Sequence, residues 1–113
     1  MGTSRSADWL AQALVFSGRP DPTWVVPGST VEKLLGLLAE LPPRPDRSPE
    51  PPPLGYRGCL LQAPDGRTWR SYGGAVTLAE GHLEQIRDDP ERRFERLLLA
   101  TAPAGTLPPL PAN

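Results

Sequence analysis

The stretch Tyr56–Leu78, YRGCLLQAPDGRTWRSYGGAVTL, decides the fold. At its centre lies Asp65-Gly66, the strongest hairpin signal in the chain, with strand-forming residues on both sides. Gly73-Gly74 then predicts a second tight turn. The segment is therefore predicted to be an antiparallel meander of three strands, at Tyr56–Gln62, Thr68–Tyr72 and Ala75–Leu78.

Two further strands are predicted before this meander. Asp8–Phe16 carries apolar residues on both of its alternating faces, which favours a buried strand over a helix. Trp24–Val26 has the composition of a short strand. Between them, the prolines of Gly18–Trp24 fix their own φ and extend the residue before each, so this loop is predicted to be stiff.

Two amphipathic helices complete the predicted elements. The first begins at Ser29, which has capping-box spacing to Glu32, and it ends at Leu41-Pro42-Pro43. The second begins in Asp88–Glu91, with an aspartate as N-cap and Pro90 as the first helical residue. The predicted inward faces are Val31, Leu34, Leu35 and Leu38 in the first helix, and Phe94, Leu97, Leu98 and Thr101 in the second.

These elements predict a single α+β domain over residues 1–113. We expect a small antiparallel sheet of four to five strands, with both helices packed on one face. The ordered core is predicted at about 7–41 and 54–101. Residues 42–53 are rich in proline and are predicted to form an extended, mobile loop. The tail at 102–113, with four prolines, is predicted to be disordered.

Charge and composition exclude several classes of protein. The formal net charge is −1 and no run of basic residues occurs, so nucleic-acid binding is not expected. The apolar stretch Trp9–Phe16 is too short to span a membrane, and no membrane association is expected. Eleven arginines against one lysine, with abundant Ala, Gly and Pro, suggest a bacterial gene. We expect a soluble cytoplasmic protein, either monomeric or homodimeric.

Catalytic motifs are absent from the sequence. It holds no phosphate-binding loop, no nucleophile elbow and no paired metal histidines, and no cofactor is expected. A single cysteine, Cys59, excludes an internal disulfide and a four-cysteine zinc site. Because Cys59 adjoins two leucines, we expect it to be a buried core residue. Arg57 on the same strand face leaves open the alternative of an activated thiol.

The candidate binding residues lie in the proline-stiffened loop and at the start of the meander. Arg19, Asp21 and Trp24 place a guanidinium, a carboxylate and an indole on a rigid segment, and Trp and Arg are enriched in interface hot spots. Tyr56 and Arg57 are expected to meet this loop at one edge of the sheet. The alternative is a structural turn, in which Asp21 caps local N–H groups and Trp24 fills the core.

A second candidate site surrounds the only histidine, His82. In an extended chain, Glu80, His82 and Glu84 would share one face, an arrangement that could ligate a metal. The alternative is a solvated acidic loop.

The leading hypothesis is a non-enzymatic binding or accessory protein that docks on a protein partner or a small ligand. An inhibitor of the antitoxin or immunity type is a variant of this hypothesis that the sequence does not separate. The alternative hypothesis is a small enzyme or metal-dependent binder that uses His82.

Overall fold

A computed structural model of the chain describes residues 8–15, 20–44, 56–80 and 83–107. Within these ranges the fold is α+β, with one antiparallel sheet and two helices. The elements in chain order are β1 (Trp9–Ala13), β2 (Thr23–Val26), α1 (Gly28–Glu40), β3 (Cys59–Gln62), β4 (Thr68–Tyr72), β5 (Ala75–Glu80), β6 (Leu83–Asp88) and α2 (Arg93–Ala100).

The sheet has six strands in the order β2-β1-β3-β4-β5-β6, and every neighbouring pair is antiparallel. The predicted count of four to five strands is therefore too low. The missed strand is β6, which begins at Leu83 and pairs with β5. Its sequence, LEQIRD, contains one β-branched residue, Ile86, and no aromatic residue, so it has little of the composition typical of a strand.

The outer edge of β6 is paired with the chain that follows α1. Asp88 N–H donates to the Pro42 carbonyl at 2.8 Å, and Arg44 N–H donates to the Ile86 carbonyl at 2.7 Å. Pro42–Arg44 were predicted to belong to the mobile loop, but these backbone bonds hold them against the sheet. The rest of the predicted loop, residues 45–53, lies outside the described residues.

One face of the sheet and both helices share a single apolar core. Antiparallel register aligns the buried residues of β1, β3 and β4 in one row, through Ala11, Leu61 and Trp69. From the helices, Leu34, Phe94 and Leu98 are fully buried. Burial of a Leu or Phe side chain contributes about 1.5–3 kcal/mol to folding, so Leu34, Leu61, Phe94 and Leu98 each stabilise this core.

The helix starts differ from the predicted caps. α1 begins at Gly28 after Pro27, and no side-chain cap is formed, so the Ser29–Glu32 capping box is wrong. α2 begins at Arg93 rather than at Pro90. The N-cap residue is Arg92 rather than an aspartate, so the predicted N-cap is wrong. The buried Asp89 carboxylate nevertheless accepts from the N–H groups of Arg93 and Phe94 at 2.9 and 3.0 Å.

The described residues end in a short turn region that follows α2. Residues 102–107 were predicted to be part of the disordered tail. Ala102 and Leu107 instead pack against the core as partly buried residues. None of the helices formed by the described residues combines the length and apolarity that crossing a membrane requires.

Candidate functional site

Two of the predicted binding residues, Asp21 and Arg57, meet at one end of the sheet. A carboxylate oxygen of Asp21 lies 3.5 Å from an Arg57 Nη atom. The other carboxylate oxygen accepts the Val15 N–H at 2.9 Å. Backbone bonds complete the junction, since Arg57 N–H donates to the Leu14 carbonyl at 2.8 Å. These contacts bring Asp21 next to the entry to β3, which is an inner strand of the sheet.

The other predicted members of this site lie elsewhere. Trp24 is only 5% exposed, and its indole N–H donates to the Thr101 hydroxyl at 2.7 Å. Its ring therefore packs in the core in this conformation. Arg19 lies outside the described residues. The contacts of Asp21 and Trp24 correspond to the structural turn considered above, and the binding role of the loop stays a prediction.

The other two tryptophans, Trp9 and Trp69, also pack mainly in the core. Trp9 and Trp69 stack with ring centroids 5.6 Å apart, and Trp69 is buried. The Arg67 guanidinium lies 5.1 Å from the Trp69 ring centroid, within the range of a cation–π contact. Three tryptophans in a small domain therefore reflect core packing here, rather than a set of exposed anchors.

Tyr56 belongs to a buried polar cluster that the sequence did not reveal. Its hydroxyl donates to a carboxylate oxygen of Glu95 on α2, and Glu95 is only 4% exposed. The second carboxylate oxygen of Glu95 is buried and has no hydrogen-bond partner among the residues that the structure describes. Cys59, fully buried as expected, completes the cluster. Glu95 was overlooked because it stands among Arg93, Glu91 and Arg96, in a pattern typical of a solvated helix face.

Burial controls the ionisation of this cluster. Desolvation raises the pKa of the Cys59 thiol well above its ordinary range, and the nearby Glu95 charge raises it further. Desolvation, with the charges of Cys59 and Glu95, likewise raises the pKa of the Tyr56 phenol. At neutral pH both groups are protonated. The cluster therefore does not present a thiolate nucleophile, and the alternative of an activated Cys59 has no support from this geometry.

Gly58 fixes the geometry between Arg57 and Cys59. Its φ of +105° lies in the region that favours glycine, and a Cβ there would meet the Ser71 carbonyl oxygen at 2.6 Å. Close approach of β3 to β4 at this point allows Arg57 to point toward Asp21 while Cys59 enters the core.

The face of the sheet opposite the helices carries two adjoining grooves. A groove of about 290 Å³, here called the Arg70 groove, crosses β3 to β6. A second groove of about 270 Å³, the Gln12 groove, continues toward β2. Leu60 and Thr68 line both grooves, so the two adjoin. The other residues of the Arg70 groove are Arg70, Tyr72, Ala75, Thr77, Ala79 and Glu84.

The Arg70 groove adjoins the predicted site at the end of the sheet. An Nη atom of Arg70 lies 3.5 Å from the Arg57 carbonyl oxygen. The rings of Tyr72 and Tyr56 are tilted against each other, with centroids 6.3 Å apart. Two residues that line the groove thus contact two residues that the sequence singled out. What the sequence did not reveal is that four neighbouring strands contribute to one surface.

Two of the metal candidates, Glu80 and Glu84, lie at the end of β5 and near the start of β6. His82 lies outside the described residues, as does the side chain of Glu80. Glu80 ends β5 and Glu84 lies in β6, so these two residues belong to two antiparallel strands rather than to one extended strand. Among the residues that the structure describes, no group of three or more potential metal ligands occurs. A metal role of His82 with these carboxylates stays a prediction.

Comparison with known proteins gave no similarity to interpret. No protein-family model, no curated protein and no solved structure matches this chain.

Proposed function

We propose that this chain is a non-enzymatic binding protein whose ligand or protein partner contacts the sheet face opposite the helices. The observation that carries the proposal is the pair of adjoining grooves on that face. Leu60 and Tyr72 offer apolar contact there, and Thr68 and Arg70 add hydrogen-bond donors. A concave, largely apolar surface with a few polar groups is the usual form of a binding site.

The predicted loop fits this proposal as the border of the binding face. Asp21 and Arg57 are held by each other and by backbone bonds at the end of the sheet. Arg57 in turn contacts Arg70 through its carbonyl oxygen. A surface fixed in this way loses little conformational entropy when a partner binds, which favours affinity.

A variant that fills the groove tests the proposal. Thr68 lines both grooves, so Thr68→Trp places an indole where a ligand would lie. Lys33, exposed on α1, provides the control Lys33→Ala. Each protein is purified from cells of the source organism, and native and denaturing mass spectra are compared after circular dichroism has shown that each is folded.

We expect additional mass in the native spectra of the wild type and Lys33→Ala, and none in that of Thr68→Trp. Additional mass retained by Thr68→Trp would place the ligand elsewhere and overturn the proposal. Native masses equal to the denatured masses for all three proteins would also count against the proposal.

A further inference from the structure

The two edges of the sheet differ in how the chain covers them. At the β6 edge, the backbone of Pro42 and Arg44 is hydrogen-bonded to the outermost strand. At the other edge, no strand of the described part of the chain pairs with the outer side of β2, and no backbone hydrogen bond joins that side to it. An open edge presents N–H and C=O groups that can pair with a further strand.

Hydrogen bonding to β1 identifies which groups of β2 face the open edge. Ala13 N–H donates to the Pro22 carbonyl oxygen at 3.1 Å, so these two residues form a hydrogen-bonded pair. Such pairs recur at every second residue of an antiparallel ladder, so Trp24 also directs its N–H and C=O toward β1. The backbone groups of Thr23 and Val25 therefore point outward.

The side chains along this edge favour pairing rather than opposing it. β2 has the sequence TWVV and carries no charged residue. Val25 is a large hydrophobic residue that is 54% exposed, and Thr23 is exposed beside it on the same face. Protected edge strands usually carry a lysine, a bulge or an internal proline, and β2 contains none of these between Thr23 and Val26.

An antiparallel pair of identical edges has a two-fold axis perpendicular to the sheet. With the axis at Trp24, Thr23 of each copy lies opposite Val25 of the other. Both residues direct their N–H and C=O outward, so every one of these groups then has a partner in the other copy. The facing side chains form β-branched cross-strand pairs, which stabilise sheets.

The residues that flank β2 select this register. With the axis at Val25, Thr23 would face Pro27, which has no N–H and whose carbonyl oxygen already accepts from the N–H groups of α1. With the axis at Thr23, Val25 would face Asp21, which lies outside β2 and whose carboxylate is held by the Val15 N–H. The axis at Trp24 keeps all of the pairing within β2.

We propose that the open edge of β2 pairs with the same edge of a second copy, in the register centred on Trp24. The two six-stranded sheets then form one continuous antiparallel sheet. A second copy is favoured as the occupant because the open stretch is its own complement, and because uncharged edges do not repel each other. The dimer goes beyond the proposed function and also extends its binding face, since Thr23 lines the Gln12 groove.

Sedimentation velocity of the purified full chain tests for the dimer. At about 200 μM we expect a species of twice the 12.2 kDa chain mass that dissociates on dilution, because a four-residue edge forms a small interface. Val25→Lys brings like charges close to the axis, and Val25→Pro removes an outward N–H while leaving the bonds to β1 intact. Each is expected to weaken dimerisation at least about tenfold.

The control for these variants is Gln85→Lys, which adds the same charge at an exposed position of β6. It is expected to dimerise as the wild type does. Circular dichroism shows that each variant is folded before its association is measured.

Cysteine cross-linking tests the register. When Thr23→Cys and Val25→Cys proteins are mixed and oxidised, we expect a disulfide-linked dimer, because the Cα atoms of a hydrogen-bonded pair lie about 5.5 Å apart. Either protein alone should cross-link poorly, since identical positions are offset by two residues and lie more than about 8 Å apart. Cys59 is fully buried and does not compete.

A wild type that stays monomeric at about 200 μM would overturn the proposal, whether another part of this chain or a different protein covers the edge. Wild-type association of both Val25 variants would also overturn it, because the copies would then meet through another surface. Cross-linking of either cysteine protein alone, as efficient as that of the mixture, would exclude the register centred on Trp24. Thr68→Trp tests the proposed function separately, so either proposal can fail while the other stands.

Discussion

Trp24 and Thr101 are joined by a 2.7 Å hydrogen bond from the indole Nε1 to the hydroxyl Oγ1, across 77 residues of sequence. The same hydroxyl donates to the Leu98 carbonyl oxygen at 2.6 Å. This bond connects β2, at one edge of the sheet, to the end of α2. It also explains how an indole can be buried without leaving its N–H unpaired.

Loss of the Thr101 hydroxyl is expected to destabilise the fold. Thr101→Val keeps the side-chain shape but leaves the indole N–H of Trp24 buried without an acceptor, so the free energy of unfolding should fall by about 1–3 kcal/mol. Urea denaturation measures this free energy of unfolding. Thr23→Val, at an exposed position of β2, is the control and should change stability by less than about 0.5 kcal/mol. Equal losses in the two variants would contradict this role of the hydrogen bond.

The Asp21 carboxylate is expected to stabilise the end of the sheet. Asp21→Ala removes the acceptor of the Val15 N–H and the partner of Arg57, so the free energy of unfolding should fall by about 1–3 kcal/mol. Asp21→Asn retains an acceptor oxygen and should lose less stability than Asp21→Ala does. Chemical denaturation of both variants measures the difference, and a wild-type stability for Asp21→Ala would exclude this structural role.

Adjacent aspartates at the start of α2 should differ sharply in their contributions. Asp89→Ala removes a buried carboxylate that bonds two backbone N–H groups, and is expected to cost about 2 kcal/mol. Asp88 is 44% exposed and lies 3.9 Å from Arg44, so Asp88→Ala is the matched control and should cost less than about 1 kcal/mol. Thermal and urea unfolding measure both variants. Equal losses of stability in Asp89→Ala and Asp88→Ala would contradict the role of the Asp89 carboxylate at the start of α2.

The buried Tyr56–Cys59–Glu95 cluster predicts a loss of stability in alkali. Both the phenol and the thiol have folded-state pKa values raised above their ordinary values of 10.0 and 9.0. Their contribution is fully present below about pH 9 and is lost as the pH rises above those values, because the unfolded chain then releases protons that the folded state retains. The free energy of unfolding should therefore fall between pH 9 and 11.

Removal of the thiol isolates one part of this pH dependence. Cys59→Ala is expected to delay the decline, since only Tyr56 then titrates within the cluster. Urea unfolding at each pH from 7 to 11 measures the two curves. A wild-type stability that stays constant up to pH 11 would show that neither group keeps its proton in the folded state.

Much of the fold was predictable because its signals are local. The hairpin signal at Asp65-Gly66, the apolar run that contains β1 and the periodicity of α1 are each local in the sequence, and the corresponding elements are present in the structure. β6 was missed because Leu83–Asp88 is mostly charged and polar, and its strand geometry comes from pairing with β5. The pairing of Pro42–Arg44 with β6 is likewise a long-range contact without a local signal.

The candidate site was only partly predictable for the same reason. Tyr56 and Arg57 were singled out by their position beside the loop, and Asp21 does meet Arg57. Glu95 stands 39 residues after Tyr56, on a helix whose charged neighbours indicate solvent, so nothing local revealed its burial. Likewise, Arg70 and Glu84 share a groove only because the register of three strands aligns them.

The central claim, that the sheet face opposite the helices is the binding surface, is tested most directly by site-specific photo-crosslinking. A photoreactive phenylalanine analogue is placed at Gln62, exposed on that face, or at Lys33, exposed on α1. Both proteins are irradiated in an extract of the source organism. The account predicts a discrete adduct from position 62 and none from position 33, whereas adducts only from position 33, or from neither, would contradict it.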